Sequence, residues 1–278
     1  MKQINGLVIR IKKALKITFK NSFSAFLSNF VQTIYIMKTI IFSVCALLVF
    51  NATILKAQKK ITFTAADGLT ITANLYLVND TMPYIVLCHQ AGYSRGEYNE
   101  TAPKFSRFGY NCIAVDARSG KEVNDVENRT ARAAMKANKP ITYLDAEQDI
   151  LAAIDYAYEK SKKKVLLVGS SYSASLALKI GTTNNKVKAV IAFSPGEYFE
   201  ESLNLKEAIK VYTKPLFVTS TKDEAADVTK LIKDIKTPVK HQFIPIEQGA
   251  HGSKALWKVT SNHNEYWLAL FMFMRAIR

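Results

Sequence analysis

The strongest constraint on this chain is a very short connection between an apolar strand and a helix, in residues 164–182. The run from Val165 to Val168 is unbroken and apolar, which is typical of a strand buried in a parallel sheet. Tyr172 to Ile180 predicts a helix with little polar surface, and Gly181 stands where a glycine commonly ends a helix. The pattern therefore predicts a strand, a tight turn and a helix, all buried in an α/β core.

The turn holds only Gly169, Ser170 and Ser171. A turn this tight strains the backbone at its apex and pushes the apex side chain out over the end of the sheet. The apex is Ser171, whose hydroxyl would stand at the N-terminus of the following helix, where N–H groups favour developing negative charge. The sequence therefore predicts that Ser171 is a nucleophile.

The segment from Gly169 to Ser173 resembles the nucleophile elbow of the α/β-hydrolase fold, Gly-x-Ser-x-Gly, with Ser173 in place of the last glycine. That last position needs a small residue because helix and strand approach closely there. Most of the chain after residue 60 follows the order of parts of that family. The resemblance implies an α/β-hydrolase fold, with a mostly parallel twisted sheet of about eight strands and helices on both faces. On the motif alone, a serine-rich turn between a core strand and a core helix stays open.

A base and an acid are needed beside a serine nucleophile, because a hydroxyl is a poor nucleophile at its ordinary pKa. Ser171, Asp223 and His251 each follow a separate predicted strand by a few residues. The carboxyl ends of parallel strands share one edge of a sheet, so these residues are expected to meet there. The order Ser, Asp, His is that of α/β-hydrolases. Asp223 is the predicted acid; Glu224 and Asp227 are alternatives that would begin or lie on the next helix.

The other three histidines have structural interpretations. His241 lies within a predicted strand, and His263 lies near the start of a helix. His89 precedes the active-site edge and is expected to hold its own turn. This leaves His251, in Gly-Ala-His-Gly, as the predicted base.

The oxyanion donors are implied by the resemblance. The segment from His89 to Gly92 resembles the loop after the third strand of α/β-hydrolases, whose backbone N–H completes the oxyanion hole. By position the donors are the N–H groups of Ala91 and Tyr172, with Gln90 as the alternative to Ala91. The His-Gln-x-Gly form is similar to members of the dienelactone hydrolase-like branch, although dienelactone hydrolases themselves carry cysteine at the apex.

Access to the site is predicted to be open. Only about twenty residues, 197–214, separate two predicted strands where many family members insert a lid, and they hold one predicted helix around Leu205 to Val211. A large cap is therefore not expected, and the site suits small or exposed acyl groups. Residues 121–141 are polar and irregular, and they predict either a flap that lines the substrate site or a solvated surface loop.

The N-terminal residues 1–57 differ from the rest in charge, with eight of the 38 basic residues and none of the 23 acidic ones. The remainder carries a net charge of +7 with its basic residues dispersed, so a nucleic-acid partner is not predicted. Residues 37–57 resemble a secretory signal peptide, and residues 39–55 are the alternative membrane anchor. The sequence thus predicts a leader, 1–57, and an exported domain, 58–278, that is periplasmic or secreted.

Together these features predict an exported serine hydrolase that cleaves small-molecule carboxylic esters through an acyl-enzyme. Cysteines 45, 88 and 112 show neither a metal-ligand spacing nor a disulfide framework, and no metal or organic cofactor is expected. An amidase or peptidase with the same triad, and a non-catalytic binding protein on the same fold, are the alternatives. A basic membrane-surface protein is a further alternative that rests on residues 1–57 alone.

Overall fold

The computed structural model of the protein describes residues 30, 32–40 and 58–278. Contacts divide the chain into two units, Met1–Leu55 and Lys56–Arg278. In the first unit the described residues are helical. The signal-peptide and anchor interpretations rest mainly on residues 41–57, which lie outside the described residues. Within the described part of the chain, no helix has both the length and the apolar character needed to cross a membrane.

The second unit is built on an eight-stranded sheet in the order β1-β2-β4-β3-β7-β8-β9-β10. Strands β1 and β2 form an antiparallel hairpin at one edge, and β2 also pairs antiparallel with β4. The other pairs of this sheet are parallel. Strands β5 and β6 form a separate hairpin. In chain order the strands are β1 (Lys59–Thr64), β2 (Thr70–Tyr76), β3 (Tyr84–Cys88), β4 (Asn111–Val115), β5 (Glu122–Val123), β6 (Val126–Glu127), β7 (Val165–Ser170), β8 (Val187–Phe193), β9 (Leu216–Thr219) and β10 (Lys240–Phe243).

Helices cover both faces of the sheet. They are α1 (Ala102–Ser106), α2 (Arg129–Lys136), α3 (Ala146–Ser161), α4 (Tyr172–Thr183), α5 (Leu205–Ala208), α6 (Ala225–Ile232) and α7 (His263–Ala276), with 3₁₀ turns at Arg95–Tyr98, Glu200–Ser202 and Gly252–Leu256. This is the predicted α/β-hydrolase architecture. Only the short turn at Glu200–Ser202 and α5 stand between β8 and β9, so the expectation of no large cap is confirmed.

Two apolar cores lie on opposite faces of the sheet, because successive side chains of a strand point to opposite faces. On β7, Val165 and Leu167 belong to the core that contains α3 and α4. Leu166 and Val168 belong to the core that contains α1 and α7. The central strands are therefore buried on both sides, which accounts for their unbroken apolar sequence.

The prediction that Gly181 ends the helix after the elbow is wrong. Helix α4 continues to Thr183. A Cβ on Gly181 would stand 2.5 Å from Cγ2 of Val190 on β8 and 3.0 Å from the ring of Tyr212. A glycine is needed here because helix and sheet approach each other so closely. This packing depends on distant parts of the chain, so the local sequence pattern does not reveal it.

The prediction of an irregular loop over 121–141 is also wrong. Asn124 and Asp125 have positive φ values of 51° and 58° and join β5 to β6 in a tight turn, a conformation that Asn and Asp tolerate better than most residues. Asn128 then begins α2 by accepting a hydrogen bond from the N–H of Ala131 at 2.8 Å. A two-residue turn and a helix cap give this segment regular structure. Both signals are present in the sequence, but they are hard to recognise because the whole segment is polar.

Candidate active site

The elbow connects β7 to α4 through a single residue, Ser171. Its backbone has φ 59° and ψ −125°, a region that costs a non-glycine residue on the order of 1–3 kcal/mol. A Cβ on Gly169 would lie 2.3 Å from the carbonyl oxygen of Ser173 and 2.4 Å from Cα of Ala174. Only glycine therefore allows α4 to turn back so closely onto the end of β7. The predicted strain at the apex is confirmed.

Ser173, which replaces the last glycine of the elbow motif, forms hydrogen bonds that a glycine lacks. Its Oγ accepts from the N–H of Ser170 at 2.9 Å and donates to the carbonyl oxygen of Cys88 at 2.8 Å. The side chain is fully buried. It therefore ties the elbow to the end of β3, and the departure from the motif is compensated locally.

We expect Ser173→Gly, which restores the usual motif, to lower the free energy of unfolding by about 2 kcal/mol. The reason is the loss of two buried hydrogen bonds together with the higher conformational entropy of glycine in a helix. Chemical denaturation measures the change, and Ser173→Ala separates the hydrogen-bond loss from the glycine effect. A Ser173→Gly variant as stable as the wild type would show that these contacts contribute nothing.

His251 lies beside the apex serine, at the start of the 3₁₀ turn Gly252–Leu256. Its Nε2 is 2.9 Å from Oγ of Ser171, and its Nδ1 is 2.5 Å from Oε1 of Glu224. A carboxylate only accepts hydrogen bonds, so Nδ1 carries the proton and Nε2 is free to accept from the serine hydroxyl. The geometry has the form of a nucleophile, a base and an acid in series.

The carboxylate beside His251 is Glu224, and the prediction of Asp223 is corrected. Asp223 is exposed, and its Oδ2 accepts a hydrogen bond from Nε2 of Gln248 at 2.9 Å. Asp227, the other alternative, is also exposed and pairs with Lys230. Both carboxylates at 223 and 224 follow β9, and the path of the turn before α6 decides which one faces the histidine.

Glu224 is held by two further hydrogen bonds. Its Oε2 accepts from Oγ of Ser194 at 2.7 Å and from the N–H of Thr221 at 3.0 Å. Partial burial opposes ionisation, but these bonds and the one from His251 outweigh it and lower the pKa of Glu224 to about 2. Because the folded-state pKa is depressed, the stabilisation by this carboxylate is complete above pH 4.5 and is lost only as the pH falls towards 2.

The sequence pattern gives no sign that Ser194 belongs to the site. It follows β8 with a positive φ of 51°, and its Oγ both donates to Glu224 and accepts from the N–H of Gly252 at 3.0 Å. It thus joins the acid to the turn that carries His251. Its positive φ at the end of a strand marks this serine in the structure. No feature of the sequence predicts that backbone conformation.

The other three histidines have the structural roles predicted for them. The ring of His89 is fully buried; its Nε2 accepts from the N–H of Ala117 at 2.9 Å and its Nδ1 lies 2.8 Å from the carbonyl oxygen of Gln90. His241 lies on β10 with its ring against Phe217. His263 begins α7, and its Nδ1 lies 2.9 Å from the carbonyl oxygen of Thr260.

In the loop after β3, hydrogen bonding distinguishes Ala91 from Gln90 as the candidate oxyanion donor. The N–H of Gln90 donates to Oε2 of Glu97 at 2.7 Å, so it is already engaged. The N–H of Ala91 has no acceptor among the described residues. Tyr172 is the first residue of α4, where N–H groups have no partner within the helix. Ala91 and Tyr172 therefore remain the candidate donors.

A cavity of about 280 Å³ lies beside the elbow. The ring of Tyr143 stacks on that of Tyr172 at 4.5 Å. Burial raises the pKa of Tyr198, and the Tyr198 hydroxyl donates to the carbonyl oxygen of Ser194 at 2.9 Å. The cavity therefore lies next to Tyr172, the residue after the apex serine, and none of residues 121–141 lines it. Its lining is aromatic, aliphatic and hydroxyl-bearing, from Thr142, Tyr143, Leu144, Tyr198, Phe199 and Ser202.

The described residues hold no group of three or more His, Cys, Asp or Glu side chains arranged to bind a metal ion. Cys88 and Cys112 are buried free thiols. Burial raises the pKa of Cys112 to about 12 and that of Cys88 further. Neither thiol is placed or ionised for chemistry at the elbow.

Comparison with known proteins gives the same architecture. An esterase from Pyrococcus furiosus superposes with a TM-score of 0.60 at 15% identity, over 78% of this chain and 90% of that one. A dienelactone hydrolase from Anabaena variabilis gives 0.60 at 14% identity, over 78% and 95%. An acylaminoacyl peptidase from Pyrococcus horikoshii gives 0.58 at 17% identity, over 81% of this chain and 42% of that one. At these identities the likeness shows the fold, which is that of the α/β-hydrolases.

The family follows from the sequence itself. Residues 71–274 match the model of the dienelactone hydrolase family, which is well over half of the chain. A search of curated proteins found no match. The chain belongs to the dienelactone hydrolase family and is a hydrolase, as the sequence pattern predicts.

Proposed function

We propose that this hydrolase cleaves carboxylic esters through a covalent acyl-enzyme, with Ser171 as nucleophile, His251 as general base and Glu224 as the acid that orients the histidine. One observation carries the proposal: Oγ of Ser171, the imidazole of His251 and the carboxylate of Glu224 form a continuous hydrogen-bonded chain of 2.9 and 2.5 Å. A non-catalytic binding protein would have no need to keep a strained serine aligned with this pair.

In the first half of the proposed reaction, Oγ of Ser171 attacks the ester carbonyl carbon while Nε2 of His251 takes the hydroxyl proton. The imidazolium that forms is stabilised by the ionised Glu224. It then gives the proton to the leaving alkoxide oxygen, and the ester C–O bond breaks to leave the acyl group on Ser171. In the second half His251 deprotonates a water molecule that attacks the acyl-enzyme, and the proton returns to Oγ as the acid product leaves.

The N–H groups of Ala91 and Tyr172 are proposed to hold the oxyanion. They come from different elements, the loop after β3 and the first turn of α4, as in a two-donor oxyanion hole. Each donor in such a site is worth about 3 kcal/mol of transition-state stabilisation. The α4 dipole adds to the field at the same point.

Small or exposed acyl groups are the proposed substrates. The cavity next to Tyr172 measures about 280 Å³, near the lower end of small-molecule sites, and no charged side chain lines it. A long acyl chain would extend beyond it into solvent and gain little from binding.

We expect kcat/KM for p-nitrophenyl esters to rise from acetate to butanoate and then to level off, with the octanoate value within about threefold of the butanoate value. Each methylene that stays in water gains none of the roughly 0.8 kcal/mol of burial. Tyr143→Ala, which removes a wall of the cavity, should shift the preference to longer chains, with the acetate ester as the internal reference. A rate that rises steadily to octanoate would contradict the small-acyl assignment.

The test of the whole proposal is labelling by a fluorophosphonate probe, followed by mapping of the labelled peptide. The expected result is a single phosphonylated residue, Ser171, with loss of esterase activity in proportion to labelling. An intact protein that hydrolyses no ester and takes no label would support the non-catalytic alternative. Amide substrates assayed beside esters decide between the esterase and the amidase or peptidase with the same triad.

Export is proposed from the signal-like residues 37–57. The test is N-terminal sequencing of the protein recovered from the producing cells. A new N-terminus near residue 58 in the exported fraction is expected, and a full-length chain confined to the membrane would favour the anchor over residues 39–55.

A further inference from the structure

Glu97 is a fully buried carboxylate that the proposed chemistry does not use. It lies in the 3₁₀ turn Arg95–Tyr98, and its side chain has no ion-pair partner among the described residues. His89 accepts at Nε2 from the backbone N–H of Ala117 and so carries its proton at Nδ1 in the neutral form. A buried carboxylate without a cation is costly and calls for a physical reason.

Three hydrogen-bond donors converge on Glu97, from three different loops of the candidate site. Oε2 accepts from the N–H of Gln90 at 2.7 Å. Oε1 accepts from Oγ of Ser170 at 2.7 Å and from Oγ of Ser253 at 2.6 Å. All three distances are in the range of short, charge-assisted hydrogen bonds.

Each donor stands one or two residues from a proposed catalytic group. Gln90 precedes Ala91, Ser170 precedes Ser171, and Ser253 follows His251 by two residues. The loop after β3, the elbow and the histidine turn come from distant parts of the chain, and this one carboxylate contacts all of them.

Two further hydrogen bonds connect the residues of this cluster. The N–H of Ser253 donates to Oγ of Ser170 at 2.8 Å, so that hydroxyl donates to Glu97 and accepts from the histidine turn. The indole Nε1 of Trp257 donates to the carbonyl oxygen of Glu97 at 3.0 Å. Burial raises the pKa of Glu97, whereas the bonds from Ser253, Ser170 and Gln90 favour the ionised form.

We propose that Glu97 is a positioning residue that fixes the oxyanion loop, the nucleophile elbow and the histidine turn in one catalytic geometry. It touches no reacting atom and acts through Ala91, Ser171 and His251, so the inference rests on the proposed function. A carboxylate is the side chain suited to this place because it presents only acceptors to three donors. A neutral amide would turn its NH₂ group towards at least one of them.

The primary test is Glu97→Gln, which keeps the shape and removes the charge. We expect kcat for p-nitrophenyl acetate, counted per active site titrated with a fluorophosphonate, to fall about 100-fold, the cost of misplacing a reacting group by about 1 Å. KM is expected to stay within about threefold, because substrate contacts are unchanged. Counting per titrated site removes any loss due to unfolded protein, so a role in stability alone would leave kcat unchanged.

Glu100→Gln is the matched control. Glu100 lies in the same segment, and its partly exposed carboxylate also accepts from a backbone N–H, that of Lys258 at 3.0 Å. Glu100 forms no hydrogen bond with a residue that carries a proposed catalytic group. The kcat of Glu100→Gln is therefore expected to stay within twofold of the wild type.

The outcomes separate the two proposals. A wild-type protein that takes no label at Ser171 refutes the proposed function and this inference with it. A wild type that labels, beside Glu97→Gln with kcat per site within twofold of it, overturns the inference and leaves the proposed function standing. If Glu97→Gln does not fold, Ser253→Ala decides: loss of one of the three donors is expected to lower kcat about tenfold at unchanged KM, and an unchanged kcat overturns the inference.

Discussion

Ser171→Ala is expected to lower kcat for p-nitrophenyl acetate by about 10⁴- to 10⁶-fold, to the level left by the oxyanion donors and binding alone. The variant should fold normally, because Oγ of Ser171 is bonded only at the site and alanine fits the same space. Initial rates with a purified variant measure the loss, and circular dichroism checks the fold. Retention of more than about one per cent of the wild-type rate would show that another residue is the nucleophile.

Ser171→Gly is a useful companion to this variant. Glycine adopts φ 59° and ψ −125° without the penalty that serine and alanine incur. It should therefore be equally inactive and unfold at a higher temperature than Ser171→Ala. The comparison separates the cost of the strained apex from the loss of the nucleophile.

Glu224→Gln and Asp223→Asn form the second test, with adjacent carboxylates and opposite expectations. Glu224→Gln should lower kcat by about 10⁴-fold, because an amide can donate to Nδ1 and so favours the wrong imidazole tautomer. Asp223→Asn should keep kcat within twofold, because the Asp223 side chain is exposed and bonded to Gln248. Both are measured as kcat and kcat/KM on the same ester.

The reverse pattern, with Asp223→Asn inactive and Glu224→Gln active, would restore the assignment made from the sequence. It would require the turn before α6 to place Asp223 against His251 during catalysis. The bonds from Ser194 and Thr221 to Glu224 oppose that rearrangement, since both would be left without their acceptor.

The sequence predicts the elbow and the base because several local features of the chain mark each of them. An apolar run, a three-residue turn and an apolar helix place Ser171, and a polar turn after the last strand places His251. The carboxylate beside His251, the proposed acid, is missed by one position because the sequence gives no reason to prefer Glu224 over Asp223. Their separation depends on the turn and on the hydroxyl of Ser194, which lies 30 residues away.

Glu97 could not be found from the sequence for a related reason. A glutamate in a polar loop is most often solvated, and nothing near it in the chain marks it as buried. Its three donors lie 7, 73 and 156 residues away. Burial of this kind is decided by how β3, β7 and the turn after β10 meet, which is a property of the assembled sheet.

The short connection between β8 and β9 has a consequence for how the enzyme would respond to its surroundings. The described connection between β8 and β9 is too short to form a hinged cover, so turnover would not require an opening step at that position. The reaction rate would then follow the concentration of dissolved ester. It would show no abrupt increase at the concentration where the ester begins to form micelles. Such behaviour would differ from that of lipases whose activity increases at an oil–water interface.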